Sequence, residues 1–388
     1  MPDLNTLFGV DVFLTQLHLY KNRRIGLVTN NAAVTSSGEL SRMALLKAGF
    51  TITKLFSPEH GLTTEGADGA FQDNSIDPVT SLPVISLYGK SFMPSQNDLS
   101  EIDLIVFDIP DIGARFYTYL WSLTYIMEAC GKHEKPLIIP DRPNPLGGNL
   151  LLAEGPILDE ENCSSFIGRW NIPIRHCCTY GELAKYFSIT KKIDLDLAII
   201  KNANWDREKS VAGKDWKFTP TSPAITDKET VLLYPGMGLL EGININEGRG
   251  TETPFKIFGA PWLDAELLLK EFSSLRLPGI NTAAYSYIPN DSLYKNELCN
   301  GFKLNVTDAD SFRPVLTGLE LLRLMINLFP NECKERLYKT VANPTGKNHL
   351  DRLTGVFKSF DKIKSGDFLE QHYSTGNWQE IINPYLLY

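Results

Sequence analysis

At 388 residues, 43% of them apolar and 22% charged, the chain can bury large cores, which excludes disorder as its main state. Its 38 basic and 46 acidic residues leave a net charge of −8, and no run of Lys and Arg makes a basic patch, so no nucleic-acid partner is expected. No apolar stretch reaches the roughly 18 residues a membrane span needs, so no membrane partner is expected either.

Six cysteines form no CxxC pair and match no zinc spacing; they read as thiols of a reducing compartment. The opening MPDLNTLFGVDVFL lacks a basic stretch followed by an apolar one. The chain as it stands therefore reads as cytoplasmic, or as periplasmic or secreted if a leader has been removed.

In chain order, short runs rich in Ile, Val and Leu fall at 23–29, 51–57, 83–88, 103–109, 136–140 and 195–201. They are apolar on both faces, as strands of a covered parallel sheet are. Helical patterns lie between them, at 38–49 and 115–131, and Thr179 with Glu182 makes a capping box for another. The alternation predicts a Rossmann-like, doubly wound α/β domain over 1–260. Residues 202–260 read as long loops, with Leu232-Leu233-Tyr234 at most a weak strand. Beyond 261, helices at 262–275 and 313–329, strands at 283–288 and 301–307, and helical stretches near 349–363 and 377–383 predict a smaller α+β domain.

Open α/β sheets bind ligands beyond the carboxyl ends of their strands. Polar residues gather after these strands: Asn30 after the first, Glu59 and His60 after the second, Asp108, Asp111, Arg115 and Tyr117 after the fourth, and Asp141, Arg142 and Asn144 after the fifth. The aspartates also suit helix caps and turns. Glu59-His60 between Pro58 and Gly61 has no such structural reading. A second cluster, 241–255, sets Glu247 and Arg249 among glycines, where a backbone can approach a ligand closely. The Gly-Met-Gly at 236–238 does not fit a dinucleotide fingerprint, and no cofactor is expected.

The strings SPEHG, FDIPDIGARFYTY, DRPNP followed by EGP, EGININEGRGTETPF and GAPW, in this order, resemble the NamZ-type (YbbC-like) exo-β-N-acetylmuramidases. The resemblance runs over roughly residues 20–380. It implies release of N-acetylmuramic acid from the non-reducing end of peptidoglycan fragments, in cell-wall turnover or recycling. It also implies a Rossmann-like domain, a smaller C-terminal domain and a cleft between them. The chain departs from the family at Pro110, where Gln is usual, at Cys177-Cys178, where Gly-Met is usual, and at Thr221–Ala224, where a Ser-Pro-Asn segment is usual.

Glycoside hydrolysis needs a carboxylic acid at the leaving oxygen and a second group as nucleophile, base or stabiliser. Glu59 is the candidate acid and Glu247 the candidate second group, with Asp108 and Asp111 behind it; assistance by the 2-acetamido group is an alternative. The sugar's lactyl carboxylate needs a cation, for which Arg115, Arg142 and Arg249 are candidates. Asn30, His60, Tyr117, Asp141 and Asn144 complete the expected saccharide site. Two other readings stay open: a metal-assisted hydrolase using Asp108, Asp111 and His60, and a non-catalytic two-lobed sugar-binding protein.

Overall fold

In the computed structural model, residues 5–209, 218–368 and 370–388 are described. The N-terminal part carries strands β1 (Arg24–Val28), β2 (Thr51–Ser57), β3 (Ser75–Ile76), β4 (Pro83–Ser86), β5 (Leu104–Phe107), β6 (Leu137–Pro140) and β7 (Leu197–Ile200). They form one seven-stranded sheet in the order β3-β4-β2-β1-β5-β6-β7. All neighbours are parallel except β3, which pairs antiparallel with β4. Six of these strands match the apolar runs in the sequence. The two-residue β3 is exposed and has no apolar pattern to find.

Alternate strand residues face opposite sides, as the pleat requires. Ile25, Leu27, Leu104, Val106 and Ile138 join one core with Val10, Phe13 and Leu45 from helices Gly9–Leu14 and Ser41–Ala48. Ile105, Phe107, Leu137 and Ile139 join the other core with helices Thr118–Lys132 and Tyr180–Thr190. The sheet is therefore covered on both faces, as a doubly wound Rossmann-like fold is. Thr179 caps the latter helix through the predicted box with Glu182.

A second, smaller α+β part is built on an antiparallel sheet β8-β10-β9, from β8 (Ile257–Ala260), β9 (Ile280–Tyr287) and β10 (Cys299–Val306). Helix Ala265–Ser274 packs on it, and helix Pro314–Leu328 packs on that helix. The stretch read as loops from 202 to 260 also holds a helix, Lys228–Met237, and a short 3₁₀ turn, Gly238–Gly242. Leu232-Leu233-Tyr234 is thus helical rather than extended. Pro235 and Gly236 hide this helix from a propensity reading, yet Asp227 caps it by accepting the Thr230 N–H at 2.9 Å. All six cysteines are buried free thiols. Among the described residues, no helix is long and apolar enough to cross a membrane.

Polar contacts tie the C-terminal residues to loops of the N-terminal part. Glu154, ion-paired to Arg175 at 3.1 Å, accepts the N–H groups of Val315 and Leu316 and so caps helix Pro314–Leu328. Its negative charge also suits the positive helix end. The Tyr388 hydroxyl donates to Asp141 at 2.7 Å, and the Trp378 indole donates to the His176 carbonyl at 3.0 Å.

Helices Lys228–Met237 and Pro314–Leu328 cross where Gly236 meets Gly318, and a Cβ on either would fall on the other's backbone. Gly318→Ala is expected to overpack this crossing by about 1–3 kcal/mol, more than the roughly 1 kcal/mol that alanine gains in helix propensity. The thermal midpoint should fall; an unchanged or higher midpoint would show that the crossing has slack.

Candidate functional site

A cleft of about 690 Å³ is lined by residues from both parts of the chain. Glu59 and His60 come from the loop after β2, and Asp68 lies further along that loop. Tyr117 and Thr118 stand at the start of helix Thr118–Lys132. Glu241 and Arg249 follow helix Lys228–Met237. Tyr338, His349 and Arg352 come from the C-terminal residues. Aromatic rings, among them Tyr88, Phe116, Tyr234 and Phe255, supply much of the remaining wall.

The loop after β2 is tightly determined. His60 sits at φ 65, a left-handed conformation that costs a non-glycine residue of order 1–3 kcal/mol. Its Nδ1 lies 2.8 Å from the Gly66 carbonyl, which makes Nδ1 the donor and leaves Nε2 outside that bond. Glu59 Oε1 accepts the Gly69 N–H at 2.7 Å. One carboxyl oxygen each of Glu59 and Asp68 and one ring nitrogen of His60 all lie within 4.8 Å of one another.

The two carboxyl groups are driven apart in acidity. Burial pushes Glu59 above the ordinary glutamate range, and the Asp68 charge adds to this, while His60, the Thr118 hydroxyl and the Gly69 N–H act against it. Burial would raise Asp68 too, but Arg249, His60 and the Tyr338 hydroxyl outweigh it, and the net shift is downward. The Asp68 side chain keeps 29% of its surface open to solvent. Paired titratable groups whose environments separate their acidities are how acid and base roles are divided in active sites.

Arg249 organises the other side of the cleft. It pairs with Glu241 at 2.8 Å, Glu247 at 3.1 Å and Asp68 at 3.6 Å, and lies over the Phe255 ring. Tyr338 donates its hydroxyl to Asp68 and stacks on His349 at 4.4 Å. His349 Nε2 lies 3.8 Å from Glu241. Asp68, Arg249, Glu241, His349 and Tyr338 thus form a closed ring of contacts.

Four of the expected residues, Glu59, His60, Tyr117 and Arg249, line this cleft. Glu247 does not line it; it is fully buried between Arg249 and Arg336. Asp108 accepts from Arg142 at 2.7 Å. Arg142 and Asp111 line a separate crevice of about 400 Å³ beside Pro110 and Pro143. Asp111 lies 3.4 Å from His176 Nε2. Asn30 is buried at the end of β1 and accepts the Ala32 N–H.

Asp141 accepts the Gly181 N–H near the start of helix Tyr180–Thr190, and burial pushes its pKa up to about 6. Asn144 shapes its own turn by accepting the Leu146 N–H and donating to the Cys178 carbonyl. Arg115 is wholly buried and donates to the carbonyls of Pro156, Ile172 and Leu353, and burial lowers its pKa to about 9. Asp68, Glu241, Tyr338, His349 and Arg352 were not expected. Glu241 opens the glycine-rich string already singled out, whereas Tyr338, His349 and Arg352 sit in no motif.

A family model described as Exo-beta-N-acetylmuramidase NamZ, N-terminal, matches residues 25–229, and its C-terminal counterpart matches 232–388. The chain is 40% identical over 379 residues to the peptidoglycan beta-N-acetylmuramidase NamZ of Bacillus subtilis (strain 168), covering 97% of this chain and 86% of that protein. Two crystal structures of DUF1343 family proteins from Bacteroides fragilis are also similar. One has a TM-score of 0.88 and 26% identity over 100% of both chains. The other has a TM-score of 0.72 and 26% identity over 99% of both.

The opposed acidities make a direct prediction. Tyr338→Phe removes one donor from the Asp68 carboxylate, so the Asp68 pKa should rise. Carboxyl-carbon NMR titration reads this. In the unaltered protein Asp68 should titrate below the ordinary aspartate range and Glu59 above the glutamate range. The reverse order, or an Asp68 indifferent to the substitution, would contradict the assignment.

Proposed function

The chain belongs to the exo-β-N-acetylmuramidase NamZ family, and from that premise we propose that it is a glycoside hydrolase releasing N-acetylmuramic acid from the non-reducing end of peptidoglycan fragments. The observation that carries this reading is the Glu59–Asp68 pair, two close carboxyl groups of opposed acidity in an aromatic-lined cleft. Aromatic walls suit the apolar faces of a sugar ring, and a raised acid beside an ionised carboxylate suits glycosidic cleavage.

In this reading Glu59 is the general acid. Its proton passes to the glycosidic oxygen as the bond from that oxygen to the anomeric carbon breaks, and the aglycone leaves as an alcohol. Asp68, held ionised by Arg249 and Tyr338, supplies negative charge to the oxocarbenium-like transition state. A pair this close leaves little room for the water that an inverting reaction places between its carboxyl groups, and favours a retaining course. For retention, Asp68 or the sugar's own acetamido oxygen bonds the anomeric carbon as the aglycone leaves, and water, giving a proton to Glu59, then displaces that bond to release the sugar. The second role falls to Asp68 rather than Glu247, because Glu247 lies outside the cleft and is engaged by two arginines.

Glu59→Gln keeps the shape but has no proton to give. On a natural disaccharide kcat should fall by about 10²–10⁴, and by less on an activated aryl muramide, whose leaving oxygen hardly needs protonation. An acid that must be protonated loses activity as pH rises through its pKa. The raised pKa of Glu59 therefore puts the basic limb of kcat/KM above the ordinary glutamate range, and the Gln variant should lack that limb. Near-wild-type turnover of the disaccharide would remove Glu59 from this role.

One observation favours a second reading: the spacing of Glu59, His60 and Asp68 would also suit a divalent ion. The hydrolase reading expects kcat/KM on an aryl muramide to survive dialysis against EDTA. Loss of activity that a divalent ion restores would bring the metal reading forward.

A further inference from the structure

The cation expected for the lactyl carboxylate is not among the arginines that the sequence offers. Arg115 is sealed in the core with three carbonyl partners. Arg142 is committed to Asp108 and to the Ser41 hydroxyl, and faces the other crevice. Arg249 lines the cleft, but Glu241, Glu247 and Asp68 already surround it. An anionic sugar group approaching Arg249 would meet more negative charge than positive.

Arg352 is placed differently. It lines the same cleft from the last turn of helix His349–Thr354, and Ser165, Ile167 and Leu353 line that cleft as well. Among the described residues no carboxylate pairs with it, and its guanidinium has no hydrogen-bond partner. Burial lowers its pKa, and the nearby Cys163 thiol only partly offsets that. A half-buried guanidinium without an anion is costly, and a carboxylate arriving with the substrate offsets that cost through two parallel charge-assisted hydrogen bonds.

We infer that Arg352 is the specificity residue that receives the lactyl carboxylate of N-acetylmuramic acid, while Arg249 is a positioning residue that keeps Asp68 ionised. This rests on the muramidase reading above. It makes the cleft selective for a 3-O-lactyl sugar with a free carboxylate over one whose lactyl group is absent or amidated, because the neutral forms leave Arg352 unpaired.

The test is calorimetric binding of two product-like probes, N-acetylmuramic acid and its lactyl amide, to the full chain. The unaltered protein should bind the acid about 10- to 100-fold more tightly than the amide. Arg352→Ala should abolish that ratio, and Arg352→Lys should keep part of it, because a point charge replaces the bidentate fork. Thermal unfolding of both variants checks that the helix is intact, and the Lys variant carries the test if Ala fails to fold. In kinetics on an aryl muramide the loss should appear mainly in KM, since the lactyl charge is the same in ground and transition states. An acid-to-amide ratio that persists in Arg352→Ala overturns the inference while leaving the muramidase reading intact. Absence of any hydrolysis of aryl muramide by the unaltered protein would instead sink that reading.

Discussion

Arg249 is held by carboxylates that arrive from distant parts of the sequence, and the chemistry of the cleft follows from this one clamp. Asp68 comes from the loop after β2, and Glu241 and Glu247 come from the glycine-rich segment before β8. The clamp fixes where the two segments meet. It also lowers the pKa of Asp68, and an ionised Asp68 helps keep Glu59 protonated. A buried guanidinium shared among several carboxylates is weak evidence for net stability. Its value here is electrostatic order: one carboxyl group charged, its neighbour neutral, and Arg249 itself spoken for.

The Rossmann-like sheet contributes less directly than its usual topology suggests. The strand order reverses between β1 and β5, where such folds often bind ligands. In this chain the groups at that edge mostly bind one another. Asp108 holds Arg142, and Asp141 anchors the start of helix Tyr180–Thr190 and the C-terminal Tyr388. The cleft lies instead beyond β2, where the loop carrying Glu59 and Asp68 meets residues of the C-terminal part. Close packing at Gly236 and Gly318, and the Glu154 cap, bring that part within reach.

The strands were legible because a sheet covered on both faces needs continuous apolar runs, and Glu59-His60 stood out because Glu is a poor turn residue with no cap to form there. The aspartates after β5 and β6 were read as ligand groups because a sequence does not show which polar loop residues satisfy each other. The helix Lys228–Met237 was hidden by its own Pro and Gly, which tertiary packing overrides. Tyr338 contacts Asp68 across 270 residues of chain, a pairing without any periodic or motif signal. Arg352 carries no local signal either; its significance lies in the partners it lacks, which only the assembled cleft reveals.

The central claim is that Glu59 and Arg352 grip opposite functional ends of one sugar, the anomeric oxygen and the lactyl carboxylate. A crystal structure with bound N-acetylmuramic acid tests it most directly. The account predicts the anomeric oxygen within hydrogen-bonding distance of Glu59, with Asp68 beside the anomeric carbon or the acetamido group, and the lactyl carboxylate on the Arg352 guanidinium. A sugar lodged between Asp111 and Arg142 in the crevice at the strand-order reversal, or one whose carboxylate displaces Glu241 from Arg249, would contradict it.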